Sequence, residues 1–334
     1  MIKPKLSLSQ IINMNVGFFG IQYSFGLQQS AVNPIYDMLG AQPDQIPLLN
    51  LAGPVTGLLI QPLIGAMSDK TWIPSLGRRK PYFFIGAIIC SVCLFLYPFS
   101  STLWMAVGLL WILDVGNNTA MEPYRAFIAD NLNADQQPMG FQAQSFFTGF
   151  GQTLANVSLF IFPMFFLGKY GALPKWVYAS FFFGSFISIA SILWSIKTTK
   201  EYPPSESELM KMRKDSGSIF KPFIEIFNAL KEMPKVLWQL ALVYLFQWYA
   251  LFCYWQNSSK SIALSIFNAT PAEEGLYEKA VGWAGLVNGW YNIVTFLVAF
   301  LLVGFAARNG AKLVHFVCLV LAGIGFMFFP FYHK

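Results

Sequence analysis

Charge is scarce in this sequence. Only 11% of its 334 residues are Asp, Glu, Lys or Arg, whereas a soluble domain carries about 25%. Long stretches between the few charged clusters hold no charge at all. That is too little to cover a water-facing surface. It excludes a cytosolic enzyme, a nucleic-acid-binding domain and a disordered chain. The net charge of +6 does not indicate a nucleic-acid partner, because the basic residues sort by loop and not along one helix face. Histidine is nearly absent, with His315 and His333 alone. Cysteine is sparse, with four residues, all inside apolar runs. Cys90 and Cys93 are spaced as CxxC, but no second pair or nearby histidine completes a metal site. Inert buried thiols are expected, and no metal or cofactor. HExxH, a Walker loop and a Ser-His-Asp set are all missing, so no enzyme is expected.

Apolar residues are abundant, at 55%, and 17% of the chain is aromatic. A membrane helix needs about 20 mostly apolar residues. Nine such runs are read, at about 11–32, 46–67, 82–99, 103–127, 141–167, 176–196, 236–255, 281–305 and 313–331. They are long and lack a period of two, which favours helices over a barrel. The first run is too long and too polar, with Gln22, Gln28 and Gln29, for a signal peptide. The fold class is an all-α membrane protein embedded in a lipid bilayer.

Basic residues in the short loops set the orientation. With the N-terminus in the cytoplasm, 17 of the 22 Lys and Arg residues fall on the inner side. The outer side keeps Lys169, Lys175, Lys260, Lys279 and Lys334. The one long polar stretch lies on the inner side, between the sixth and seventh spans. Three parts are expected: a six-helix bundle over 1–197, a cytoplasmic linker over 198–235, and a partial three-helix bundle over 236–334. Within the linker, Phe220, Phe223, Ile224, Phe227 and Leu230 are spaced as on an amphipathic helix. A plain linker helix is the preferred reading there. A faint repeat supports a duplicated bundle, since Gly65 with Asp69 and Gly304 with Arg308 end spans six helices apart.

Three motifs stand in order along the chain. The loop after the second span reads Gly65-Ala-Met-Ser-Asp69-Lys70, then Leu76-Gly77-Arg78-Arg79-Lys80-Pro81. The first span contains Gly20-Ile-Gln-Tyr-Ser-Phe-Gly-Leu-Gln-Gln-Ser30. The fourth contains Asp114-Val-Gly-Asn117-Asn118 and Pro123-Tyr-Arg125-Ala-Phe-Ile-Ala-Asp130. Together they resemble the major facilitator superfamily, and within it the sucrose and maltose type of sugar–cation symporter. The resemblance covers the first five spans by motif and the rest by layout. It implies a twelve-helix bundle, of which about nine helices are present, so the chain is expected to stop three helices early. It also implies symport of a sugar with a proton or a sodium ion, across the plasma or inner membrane. The competing reading is a membrane receptor that moves no solute, or an inactive fragment.

Asp114 is the most informative residue. It lies 11 residues into its span, about 16 Å deep and near the bilayer midplane. A carboxylate there costs several kcal/mol unless paired, hydrated or protonated. Exposure-dependent protonation is what ion coupling requires, so Asp114 is the candidate coupling residue. At 100° per residue, Asn118 lies about 40° and Arg125 about 20° from it, with Asn117 about 60° to the other side. Arg125 is expected to join Asp69, Arg78, Arg79 and Asp130 in an inner charge network. Gln22 and Gln29, Gln144, Gln152 and Asn156, Gln247 and Trp248, and Asn288 and Asn292 form further polar stripes on their spans. Amides pair with sugar hydroxyls and flat rings cover the apolar sugar face. These residues, with Asn117 and Asn118, are the candidate substrate contacts.

Overall fold

A computed structural model describes residues 3–204, 206–214 and 221–328. The chain runs through α1 (Leu8–Met38), α2 (Ile46–Leu49), α3 (Ala52–Lys70) and α4 (Lys80–Leu96), which ends in a 3-10 turn at Tyr97–Phe99. It continues through α5 (Leu103–Asn131) and α6 (Gln137–Phe165). A two-stranded hairpin, β1 (Lys169–Tyr170) and β2 (Leu173–Pro174), leads to α7 (Lys175–Thr198). The linker holds α8 (Glu206–Lys214) and α9 (Lys221–Lys231). α10 (Lys235–Phe267), α11 (Glu274–Asn309) and α12 (Ala311–Phe328) follow.

The expected spans fall on helices, the second on α2 and α3 together and the ninth on α12 as far as residue 328. By length and composition, four stretches among the described residues are long and apolar enough to cross a membrane: Ile46–Lys70, Lys80–Phe99, Lys175–Thr198 and Lys235–Phe267. α1, α5, α6 and α11 are as long but more polar, because each turns buried amides inward. α1 is the axial helix, lying against α6 and α7 with further contact to α5, α10 and α11. Asn15, Gln22, Ser24 and Asn33 are buried along it. The periphery is apolar and outward-facing, as on α4, where Ile85, Ile88, Val92 and Phe95 form an exposed stripe at helical spacing. Such a surface requires lipid.

Three boundaries differ from the sequence reading. α1 continues through Pro34 to Met38, since neighbouring helices can accommodate the missing donor inside a bundle. The second span breaks into α2 and α3 at Asn50, whose side chain donates to the Ile46 carbonyl at 2.8 Å and to Asn33 Oδ1 at 2.8 Å. α10 continues about three turns beyond residue 255, because Ser258 and Ser259 are buried and Lys260 is paired. The linker residues after Glu201, read as irregular, contain α8. The amphipathic stretch is α9; its first residues, 219 and 220, and the end of the last span lie outside the described residues. Cys90 and Cys93 are buried as expected, whereas Cys253 and Cys318 are exposed.

The arrangement of α6 and α11 shapes the interior. Gly285 of α11 faces the Asn156 carbonyl of α6 so closely that a Cβ there would come within 2.6 Å of it. The two helices therefore touch backbone to backbone over this half. Toward the other end they separate.

Candidate functional site

A cavity of about 790 Å³ fills the space where α6 and α11 part. Along α6 its lining runs from Pro138 in the first turn to Asn156. α10 contributes Gln247, Trp248, Leu251 and Trp255; α11 contributes Asn288, Tyr291, Asn292 and Thr295; α1 contributes Gln29 and Ser30. The lining contains amides, hydroxyls, indoles and a phenol, and among the described residues no charged side chain. Ser30 Oγ donates to Asn156 Oδ1 at 2.6 Å, and Tyr254 OH donates to Asn288 Oδ1 at 3.0 Å. These bonds fix the amides while leaving hydrogen-bonding capacity open to a ligand.

Of the expected substrate contacts, Gln29, Gln152, Asn156, Gln247, Trp248, Asn288 and Asn292 meet here. Four do not. Gln22 accepts from Gln152 Nε2 at 2.9 Å, behind the wall. Gln144 is buried in α6 outside the lining. Asn117 and Asn118 belong to a second centre. Ser30, Gln142 and Ser145, which line the cavity, were not among the sequence candidates. Their short or isolated polar groups repeat at no spacing that marks them.

The second centre is Asp114. It is 1% exposed and has no basic partner among the described residues. Its Oδ1 accepts from Gln28 Nε2 at 2.6 Å. Its Oδ2 accepts from Thr56 Oγ1 and from Asn118 Nδ2, the latter at 2.9 Å. Asn117 Nδ2 donates to Gln28 Oε1 at 3.1 Å, and Gln61 Nε2 to Asn118 Oδ1 at 2.6 Å. Hydrogen bonds to an ionised group contribute about 1.5–3 kcal/mol each, so three neutral donors offset much of the desolvation cost. The nest also suits the neutral acid. A protonated Asp114 can donate to Thr56 Oγ1, whose own hydroxyl hydrogen then turns to the Gly53 carbonyl 3.4 Å away. Among the described residues the titratable neighbour is Cys90, whose thiol donates to Asn117 Oδ1 at 3.2 Å. Gln28, Thr56 and Gln61 were missed as partners because single polar residues on separate apolar spans show no common register.

The two ends of the bundle carry different charge clusters. At the end where α3 meets α4, Arg79 binds Asp69 at 2.6 Å and Asp130 at 2.7 Å, and Arg78 reaches Asp69 at 3.2 Å. Arg125 stands apart from this cluster; it is half-exposed and 3.5 Å from Glu122. Glu201, which sequence reasoning left in the linker, accepts from the backbone amides of Arg78, Arg79 and Lys80 at 2.6–3.2 Å. A carboxylate at a helix N-terminus is favourable there. Lys80 Nζ in turn donates to the carbonyls of Ile196 and Thr199 at the end of α7. Nearby, the hydrogen bond and charge of Lys5, 2.7 Å away, hold the Asp135 carboxyl below its usual range. At the opposite end, Lys260 of α10 binds Asp37 of α1 at 2.9 Å. Tyr277 of α11 donates to the other Asp37 oxygen at 2.6 Å. The cavity lining extends along α6 to Pro138 in its first turn, while at the Asp37 end α1, α10 and α11 are joined by these contacts.

The family described as Major Facilitator Superfamily matches residues 14–334. The chain belongs to the major facilitator superfamily. It is 24% identical over 302 residues to "Sucrose transport protein SUT5" of Oryza sativa subsp. indica, covering 78% of this chain and 54% of that protein. It is 33% identical over 149 residues to "Sucrose transport protein SUT3" of the same subspecies, covering 38% and 29%. It is 25% identical over 277 residues to "General alpha-glucoside permease" of Schizosaccharomyces pombe, covering 75% and 47%. The chain therefore spans about half or less of the length of these relatives. Among solved structures, a bacterial homologue of the human drug peptide transporters PepT1 and PepT2 matches with a TM-score of 0.58 at 15% identity, over 90% of this chain and 72% of that one. That likeness concerns the fold. As a member of the superfamily the chain is a multi-pass membrane protein and not an enzyme.

Proposed function

We propose that this chain is part of a secondary active transporter that moves a neutral sugar, of the disaccharide class such as sucrose or maltose, together with a proton. The cavity between α6, α10 and α11 holds the sugar. Amides and hydroxyls pair with its hydroxyls, and Trp248 and Trp255 cover its apolar face. Asp114 takes and releases the proton. The segments 1–197 and 236–334 act as two halves that rock about the cavity, joined by the 198–235 linker. The N-terminus and the Arg79 end face the cytoplasm, in the plasma or inner membrane, so the cavity lining extends toward the inner side. Asp69, Arg78, Arg79 and Asp130 lock the inner ends of α3, α4 and α5 into one unit.

The observation that carries this reading is the pairing, among the described residues, of an uncharged amide and indole cavity with a buried acid that has no cationic partner. The printed names of the relatives, which refer to sucrose and α-glucosides, agree with it. The test is uptake of labelled sucrose and maltose by the full-length protein in proteoliposomes, with and without an inward proton gradient. Accumulation driven by the gradient is expected. Asp114→Asn is expected to abolish accumulation while sugar exchange persists. Binding without movement of either sugar would favour a receptor, and accumulation undiminished in Asp114→Asn would remove the coupling role.

A further inference from the structure

Asp114 does not line the cavity, so proton and sugar would occupy separate places. α1 packs on both α5 and α6, more closely than these pack on each other, and is the main physical link between the two places. We infer that Gln28 is the positioning residue through which the protonation state of Asp114 reaches the sugar cavity. This rests on the sugar-symport reading.

Both ends of the Gln28 amide are held by α5. Its nitrogen donates to Asp114 Oδ1 at 2.6 Å, and its oxygen accepts from Asn117 Nδ2 at 3.1 Å. The next two residues, Gln29 and Ser30, are on the cavity wall. Ser30 holds Asn156 of α6 at 2.6 Å and accepts from Asn288 of α11 at 3.5 Å. α1 also lies tightly on α6: a Cβ at Gly26 would sit 2.7 Å from that of Ala155. A change in the pull on Gln28 therefore moves a helix that is already in contact with the cavity wall, with little slack to absorb it.

The pull changes with the proton. The ionised carboxylate accepts a charge-assisted bond from Gln28. The neutral acid makes a weaker bond there and can satisfy its own hydrogen through Thr56. The other groups facing Asp114 are Thr56 and Gln61 on α3, Cys90 on α4, and Asn117 and Asn118 on α5. Among these described neighbours Gln28 alone shares a helix with cavity residues.

The prediction concerns linkage between the two ligands, which must be reciprocal. Sucrose or maltose affinity of the purified full-length protein is measured from pH 5 to 8 by quenching of tryptophan fluorescence, since Trp248 and Trp255 line the cavity. In the natural protein the Kd is expected to change about tenfold across the range, the size of one charge-assisted hydrogen bond. In Gln28→Met, which keeps the side-chain length but not its hydrogen bonds, that change should shrink below about twofold while binding at acid pH remains. Thr56→Val removes a donor from the other oxygen without touching α1. It should displace the midpoint of the pH dependence yet keep its amplitude. If Gln28→Met binds no sugar at any pH, Asn117→Ala provides the second variant, because it frees Gln28 without a direct bond to Asp114. Its amplitude should fall several-fold. Full natural amplitude in Gln28→Met, or in Asn117→Ala where that variant decides, overturns the inference. A flat pH dependence in the natural protein overturns it too, while leaving sugar binding in place. Absence of sugar binding in the natural protein at every pH would instead remove the transport reading on which it rests.

Discussion

Asp37 and Lys260 form a contact whose loss is expected to open the molecule. The Asp37 side chain is 5% exposed and that of Lys260 is 23% exposed. Removing one partner of such a pair leaves an uncompensated buried charge, at a cost of about 3–5 kcal/mol. Lys260→Met leaves Asp37 with Tyr277 as its remaining described partner, so the closed outer end loses stability relative to an open one. A cysteine placed at Asn33, just inside this contact, should then react several-fold faster with a membrane-impermeant thiol reagent added from outside. An unchanged rate would show that the pair does not hold the end closed. The sequence marked Lys260 as an outer basic residue and offered no reason to join it to Asp37, 223 residues away. Asp114 was legible because an acid deep in an apolar run is costly wherever it lies. Its partners were not, since Gln28 and Thr56 sit on other helices. Arg125 was expected in the Asp69 cluster because it lies near the inner end of its span. At that level α5 is still packed, with Tyr124, Phe127 and Ile128 buried, but Arg125 lies on its half-exposed side next to Glu122.

Helix packing decides where the interior is solid and where it is hollow. Gly282, Gly285 and Gly289 place α11 against α6 near Leu159, Asn156 and Val157. A side chain larger than hydrogen at Gly285 meets the Asn156 carbonyl, which the backbone of α6 cannot move aside cheaply. Gly285→Leu is expected to cost at least about 1–3 kcal/mol through overpacking and to lower the Tm of the detergent-purified protein by several degrees. The same substitution at Gly323 should cost less, because a Cβ there meets nothing within 4 Å. The long helices themselves were legible from apolar run lengths. Their extensions were not: the polar turn Gln256–Lys260 reads as a span end, yet it remains helical because α1 supplies partners for it. The close α6–α11 contact was likewise invisible, because a glycine in an apolar run marks a contact without naming the partner.

At the scale of the whole molecule, the cavity selects by charge. None of its described lining side chains is charged, and a charge taken from water into such a site finds no opposite charge to offset its lost hydration. A sugar phosphate or a uronic acid should therefore compete with sucrose or maltose at least about 100-fold less well than the neutral sugar, a difference of about 2.7 kcal/mol. Inhibition of labelled uptake measures this directly, and comparable inhibition by the charged analogues would place a cation in the cavity. The sequence displayed the separate stripes on α6, α10 and α11; only the way these helices diverge turns them into one wall. That divergence has a mechanical consequence. Because α6 and α11 meet near Gly285 and part toward Arg308, the crossing can serve as a fulcrum. From Gly285 to Arg308 a straight helix spans about 35 Å, so a tilt of about 10° there sweeps its far tip by about 6 Å. A bend too small to disturb the glycine contact would suffice to bring the free ends of the two rods together and shut the vestibule.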